Sequence, residues 1–194
     1  MQNPLNTTLA DPADLAMLRE QFGPDNTPLG WNAVSAFETE HGITLPEPYR
    51  SFVADISDGS LTGPPEYGLT ELGALPADWG SGRPERHLGK PFPLTAQWIW
   101  EDRDLPEPAE EQLDPIYDHG SLILGTDGCG MYWHLIVTGE HRGHIWLIND
   151  VGATPFGSEF GYTTGQSGFA GWIRHWAAGN AWWDAATPSA EDQQ

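Results

Sequence analysis

The chain has 194 residues, a length that fits one domain, and its ten Trp, seven Phe and five Tyr can build a substantial core. It carries 28 acidic residues against eight Lys and Arg, which gives a net charge of −20 at pH 7. Such a surface repels nucleic acid and attracts basic partners, although the same acidity is equally consistent with solubility or with an acidic lineage.

Several other classes of protein are excluded by pattern. No apolar run approaches the ~20 residues of a membrane helix, and the N-terminal residues lack the basic and apolar regions of a secretory signal. The single cysteine, Cys129, excludes an internal disulfide and a multi-cysteine metal site. We therefore expect a cytoplasmic protein without a membrane partner. The 23 Gly and 17 Pro favour a sheet-containing fold over a helical bundle.

Two helices are predicted near the N-terminus. The first lies in "DPADLAMLREQFG", where Asp11 can cap the helix and a Gly-Pro pair ends it. The second lies in "WNAVSAFETEHG", where Trp31, Val34 and Phe37 face inward and Gly42 closes the helix.

The next three segments differ in character. A third helix in "LPEPYRSFVADISDGS" carries one apolar stripe formed by Tyr49, Phe52, Val53 and Ile56. The segment "PPEYGLTEL" is predicted to be a strand entered through a proline turn, and "FPLTAQWIWED" is predicted to be a helix. The stretch 101–118 is acidic, contains prolines and shows no sustained period, so we expect an exposed loop.

The glycine-rich stretch "GSLILGTDGCGMYWHLIVTGEHRGHIWLIND" predicts three antiparallel strands. Met131, Trp133, Leu135 and Val137 share one face of the middle strand, and Tyr132, His134 and Ile136 share the other. A turn in "TDGCG" joins the first two strands, and Asp127, Gly128 and Gly130 can adopt the backbone conformations that it needs.

A last helix lies in "SGFAGWIRHWAAG", with Ser167 as a possible cap and Phe169, Trp172, Ile173 and Trp176 on its inward face. The expected organisation is a helical extension over 1–30, one domain over 31–180 with an acidic insertion at 101–118, and a disordered tail over 181–194.

The same stretch excludes several chemistries. No lysine follows the glycines and the loop leads into a strand, which disfavours a phosphate-binding loop or a dinucleotide fingerprint. His134, His141 and His144 with Cys129 leave zinc as an alternative, but no spacing matches a known ligand pair. Cys129 beside an acidic residue lacks the positive environment of a nucleophile, so we interpret it as structural.

No catalytic signature stands out elsewhere. Among so many acids, a carboxylate pair carries little information, and no serine lies in a nucleophile elbow. We therefore expect neither a catalytic residue nor a cofactor nor a metal. An enzyme or a carbohydrate binder hidden among the acids and tryptophans remains a minor alternative.

Four motifs occur in a fixed order between Trp31 and Ala178. They are "FETEHGITLPEPYRSFVADISDGS", "PPEYGLTEL", "LILGTDGCGMYWHL" and "IWLIND", the last with a helix behind it. In these motifs the sequence resembles the SUKH superfamily, the Smi/Knr cell-wall regulators of fungi and their bacterial immunity-protein relatives. It differs from the family pattern in the residue after the glycine turn, Met131, and in a long insertion.

The resemblance implies a single α+β domain with a mostly antiparallel central sheet and helices packed around it. It also implies a binding function, most simply that of an immunity protein that neutralises a basic, nuclease-like toxin. The alternative is a regulatory or scaffolding domain that binds a host protein. The resemblance assigns structural roles to the following residues: Trp31, Glu38, Gly42, Leu45, Pro46, Tyr49, Phe52, Asp58, Gly59, Tyr67, Gly68, Gly125, Asp127, Gly128 and Gly130.

Partner contacts are expected in the acidic stretch and on tryptophans beside it, because an indole surrounded by carboxylates suits an arginine-rich partner. The candidate contact residues are Trp98, Trp100, Glu101, Asp102, Asp104, Glu107, Glu110, Glu111, Asp114 and Asp118. The sequence does not indicate an oligomeric state.

Overall fold

The computed structural model describes residues 9–23, 26–80, 85–101, 108–157 and 167–182. One five-stranded antiparallel sheet occupies its centre, in the order β1-β5-β4-β3-β2. The strands are β1 (Trp98–Ile99), β2 (Ser121–Gly128), β3 (Met131–Ile136), β4 (Ile145–Ile148) and β5 (Gly152–Pro155). The predicted three-strand meander is therefore confirmed as β2 to β4, and the described elements form a single α+β domain.

Within these described ranges, five helices surround the sheet: α1 (Pro12–Phe22), α2 (Trp31–His41), α3 (Tyr49–Asp55), α4 (Glu110–Asp118) and α5 (Phe169–Ala177). Four of them were predicted, with correct capping for the first two. The Asp11 carboxylate accepts a hydrogen bond from the Ala13 N–H at 2.8 Å, and Gly42 ends α2 in the left-handed conformation. The predicted cap Ser167 is wrong, because Gly168 occupies the N-cap of α5.

The sheet is covered on both faces, so the alternating side chains of β3 enter two separate cores. Trp133, Leu135 and Val137 join the larger core, to which α1, α2, α3 and α5 contribute. Tyr132 and Ile136 join the smaller core on the opposite face, beside α4. This split confirms the predicted assignment of the two faces of β3 and explains why nearly every side chain of the strand is buried.

Helix α4 contradicts the prediction of a loop over the whole stretch 101–118. The proline at position 115 and the many carboxylates suggested a loop, yet Ile116 and Tyr117 are buried in the smaller core. Burial of these side chains outweighs the cost of the proline. Two acidic residues in the first turn also interact favourably with the helix dipole.

Two other predicted elements are wrong. The segment "FPLTAQWIWED" forms the short edge strand β1 rather than a helix. The segment around Leu69 forms turns and a single bridge to Ser60 rather than a strand. It still runs beside β2, since the Thr70 N–H donates to the Leu124 carbonyl at 2.8 Å. Gly68 and the prolines interrupt regular pairing, and the segment nevertheless covers the outer edge of the sheet.

The turn between β2 and β3 is tighter than predicted. Gly128 pairs with Met131, which leaves Cys129 and Gly130 as a two-residue loop. Both loop residues have positive φ, 50° and 75° respectively, as a type I′ hairpin requires. Cys129, rather than Asp127, is therefore the non-glycine residue of this turn that has a positive φ.

Candidate functional site

The candidate contact surface begins on α4, whose outer side carries Glu110, Glu111 and Asp114. All three side chains are exposed, as is Glu101 on the neighbouring segment. The two segments are adjacent, because the rings of Trp100 and Tyr117 lie 6.4 Å apart. We call these four carboxylates the α4 acidic face. Ile116 and Tyr117 on the opposite side of α4 are buried in the smaller core and hold the helix in place. The carboxylates are therefore presented from an ordered helix rather than from a loop.

The predicted tryptophan anchors do not lie as expected. Trp100 is only 6% exposed, and its indole N–H donates to the Asp150 carbonyl at 2.6 Å. Trp98 is half-buried and packs against Trp100 edge to face at 5.5 Å. The prediction that Trp100 is an exposed anchor is therefore wrong. The sequence analysis missed Ile99, which is 42% exposed and whose side chain alternates with those of Trp98 and Trp100 along the chain.

Asp118 was predicted to be a surface contact, and this is wrong because it is 3% exposed. Its charge acts on the buried Arg86 guanidinium. Burial lowers the pKa of Arg86 to about 10, and Asp118 opposes that shift. Arg86 also donates to the carbonyl of Ser121 and lies 5.5 Å from the Trp79 ring centroid. The Asp118 charge therefore acts on Arg86 inside the protein and is not presented at the surface.

Three further candidate contacts, Asp102, Asp104 and Glu107, lie outside the described residues. Of the ten candidates, the structure thus leaves Glu101, Glu110, Glu111 and Asp114 exposed, and Trp98 is half-buried.

Two acidic residues of the family motifs, Asp58 and Asp127, accept hydrogen bonds from backbone N–H groups, and Asp127 also accepts one from an indole. Asp58 accepts a hydrogen bond from the Leu72 N–H at 2.7 Å. Asp127 accepts one from the Glu66 N–H and one from the Trp133 indole, both at 2.7 Å. These carboxylates join segments that are distant in sequence. Two other motif residues lie at the surface: Tyr67 is 69% exposed, and Trp31, predicted to face inward, is 40% exposed.

The histidines and Cys129 are dispersed. His134 is fully buried, with its Nδ1 2.9 Å from the Ser121 hydroxyl, and Cys129 lies exposed on the β2–β3 turn. Within the described ranges, no group of three or more His, Cys, Asp or Glu side chains has the arrangement of a metal site. His141 and His144 lie close together, with their Nδ1 atoms 3.4 Å apart.

The contact between His141 and His144 gives a prediction about pH. Burial, and secondarily His141, lower the pKa of His144 below its ordinary value of 6.5. Protonation is thus disfavoured in the folded state, so the chain loses stability as the pH falls below about 6.5. NMR titration should place the His144 midpoint below that of a free histidine, and His141→Gln should move it upward. A midpoint at or above the ordinary value would contradict this reading.

Comparison with known proteins identifies one family. The model described as the SMI1 / KNR4 family (SUKH-1) matches residues 30–173, which is most of the chain. Searches against curated proteins and against solved structures found no significant match. In the part of the chain that the structure describes, no helix has the length and hydrophobicity of a membrane span.

Proposed function

Because the chain belongs to the SMI1/KNR4 (SUKH-1) family, we propose that it is a protein-binding domain of the immunity type, which neutralises a basic, nuclease-like toxin. Neutralisation would be stoichiometric and would involve no chemistry and no cofactor. Family membership is consistent with a protein partner, while the identity of that partner is our inference from charge. The proposal places the complex in the cytoplasm of a bacterial cell.

The observation that supports this proposal most directly is the α4 acidic face. Three of its carboxylates stand on one ordered helix, and the whole chain has a net charge of −20. A negative field of this kind accelerates encounter with a basic protein and orients it on the matching surface. Carboxylates on such a surface also take positions where a nuclease would otherwise hold phosphates.

A triple charge reversal on α4 tests the proposal. If a gene beside this chain's own encodes a basic toxin, Glu110→Lys, Glu111→Lys and Asp114→Lys together should lower the association rate constant for that protein by about tenfold or more at low salt. Because Glu110 and Glu111 stand in the first turn of α4, reversing their charges should also cost about 1–3 kcal/mol in total through the helix dipole. The melting temperature should therefore fall by several degrees, and the kinetics are measured well below it. Stopped-flow kinetics at two ionic strengths and a thermal scan provide the measurements.

The matched control places the same charge change on the other side of the sheet. Glu20→Lys, Glu40→Lys and Asp55→Lys alter exposed residues of α1, α2 and α3. If the α4 acidic face is the contact, this control should reduce the association rate much less. Equal losses in both variants would show a general charge effect, and binding that is indifferent to salt would contradict the electrostatic argument. Capture of a host protein instead of the neighbouring gene product would favour the regulatory alternative.

A further inference from the structure

A second surface feature lies on the opposite face of the sheet from α4. Beside the C-terminal half of α5 is an open cleft with a volume of about 450 Å³. This volume lies within the range of roughly 300–1,000 Å³ found for ligand pockets. Four indoles contribute to its walls: Trp133, Trp172, Trp176 and Trp182.

Three of the indoles form a connected group around Trp133, and Trp176 stacks on Phe22. The rings of Trp133 and Trp172 lie 5.3 Å apart, and those of Trp133 and Trp182 lie 6.3 Å apart. Trp133 and Trp172 are buried in the larger core, whereas Trp176 and Trp182 are only partly buried. The cleft therefore has a rigid aromatic base and aromatic sides.

Two carboxylates also line the cleft, those of Glu66 and Asp127. Asp127 is held in place by the indole N–H of Trp133 and by the backbone N–H of Glu66. The Glu66 side chain is exposed and makes no hydrogen bond or ion pair within the described part of the chain. No Lys or Arg is among the described residues that line the cleft, so its charge is negative.

His175 has a buried acceptor nitrogen beside the cleft. It lines the cleft and is 6% exposed. Its Nε2 lies 2.7 Å from the Ala181 carbonyl, which can only accept, so Nε2 carries the proton. Nδ1 is then an acceptor, and it is buried without a hydrogen-bond partner among the residues that the structure describes. This nitrogen has almost no accessible surface, so a donor in the cleft reaches it only after a movement of the imidazole.

We propose that this cleft binds the guanidinium of an arginine side chain supplied by a partner protein. A guanidinium is planar, permanently charged, weakly hydrated and composed only of donors, and it stacks on aromatic faces. It therefore matches the indoles and the two carboxylates that line the cleft. A lysine ammonium is more strongly hydrated and cannot stack.

Charge argues against occupation by this chain's own neighbouring segments. Residues 158–166 precede the lining residues of α5, residues 183–194 follow Trp182, and neither segment contains Lys or Arg. The second of them adds three carboxylates, Asp184, Glu191 and Asp192. A basic side chain from another protein is the occupant with complementary charge.

The inference rests on the proposed function only in assigning the arginine to a partner, so the site can be tested without any partner. N-acetyl-arginine amide is titrated into the full chain labelled with ¹⁵N, and the indole N–H signals are followed by NMR. We expect saturable shifts in the millimolar range for the four indoles of the cleft, and no shift for Trp31 on the far side of α2. The neutral isostere N-acetyl-citrulline amide should not bind, and N-acetyl-lysine amide should bind more weakly.

Two substitutions with the same change in net charge sharpen the test. Glu66→Gln should weaken binding of the arginine probe about two- to fivefold, the range that an exposed ion pair supports, while Glu40→Gln on α2 should have no effect. Glu66 contributes its backbone N–H to Asp127, so the amide variant keeps the local fold. Glu66→Lys, which places a cation of the chain's own in the cleft, should abolish binding.

The outcomes separate this inference from the proposed function. Absence of saturable shifts, equal binding of the citrulline probe, or equal effects of the Glu66 and Glu40 variants would overturn the arginine site. If the chain binds the arginine probe but does not bind the neighbouring gene product, the arginine site stands and the proposal of toxin neutralisation is wrong. If the chain binds the toxin but not the probe, the proposed function stands and the arginine site is wrong.

Discussion

Gly68→Ala should destabilise the domain by about 3–5 kcal/mol, which corresponds to a fall of roughly 10 °C in melting temperature for a chain of this length. Gly68 has a φ of 81°, a conformation that costs a residue with a side chain about 1–2 kcal/mol. A Cβ at this position would overlap the Ser60 carbonyl oxygen and approach the Leu61 carbonyl carbon to 2.9 Å.

The surrounding backbone cannot move away cheaply. Ser60 and Leu69 exchange two hydrogen bonds, of 2.9 and 2.8 Å, and the Ser60 carbonyl is the acceptor in one of them. On the other side, the Gly68 carbonyl leaves no room for a Cβ at Gly125, which would lie 2.5 Å from it. Gly68 is therefore enclosed between the 60–61 turn and β2, and a methyl group there adds steric overlap to backbone strain.

Gly42→Ala is the matched control for the steric part of this argument. Gly42 also has a positive φ, 64°, but a Cβ there meets no atom within 4 Å. Its substitution should cost only about 1 kcal/mol. Urea unfolding of both variants measures the difference in the free energy of unfolding. Equal losses at the two positions would show that enclosure of Gly68 is unimportant.

Glu38→Ala should cost about 2–4 kcal/mol, because one carboxylate serves three donors. Glu38 Oε1 accepts from the Leu45 N–H and from Arg50 Nε, both at 2.8 Å, and Oε2 accepts from Arg50 Nη2 at 3.0 Å. Glu38 is 9% exposed, so the alanine variant leaves a buried N–H without an acceptor and a guanidinium without its counter-charge. The hydrogen bond to Glu38 raises the pKa of Arg50 despite the opposing effect of burial.

Two companion variants separate the backbone contact from the ion pair. Glu38→Gln keeps an oxygen for the Leu45 N–H and loses the charge, so it should cost about 1 kcal/mol. Arg50→Met removes the cation, and also its contact with Trp31, whose ring centroid lies 5.0 Å from the guanidinium carbon. If Glu38→Gln destabilises as much as Glu38→Ala in chemical denaturation, the ion pair is the dominant contribution and the role given to the backbone bond is wrong.

Local pattern was sufficient for elements whose signal lies within a few residues. The Asp11 cap, the Gly42 terminus and the apolar stripes of α3 and α5 are all local features, and the structure contains them. The glycine-rich turn likewise predicted the hairpin, although the assignment of positive φ to Cys129 depended on the register between β2 and β3.

The errors about Trp100, Asp118 and α4 share a cause, which is the smaller core. Trp100, Asp118 and the underside of α4 were read as surface because their neighbours in sequence are acidic. They are buried because α4 and the segment before β1 fold across the face of the sheet that lies away from the other helices. Nothing within the stretch 101–118 indicates that a sheet face elsewhere in the chain needs covering.

The cleft beside α5 shows the same limit on the functional side. Glu66, Asp127 and His175 are more than a hundred residues apart at the extremes, and no spacing rule connects them. The sequence by itself determined the meander, four of the five described helices and the negative charge, because periodicity, capping and composition act locally or additively, whereas the α+β fold class came from the family resemblance. The tertiary structure decided which acids are exposed and which indoles meet carboxylates, because burial depends on contacts between segments distant along the chain.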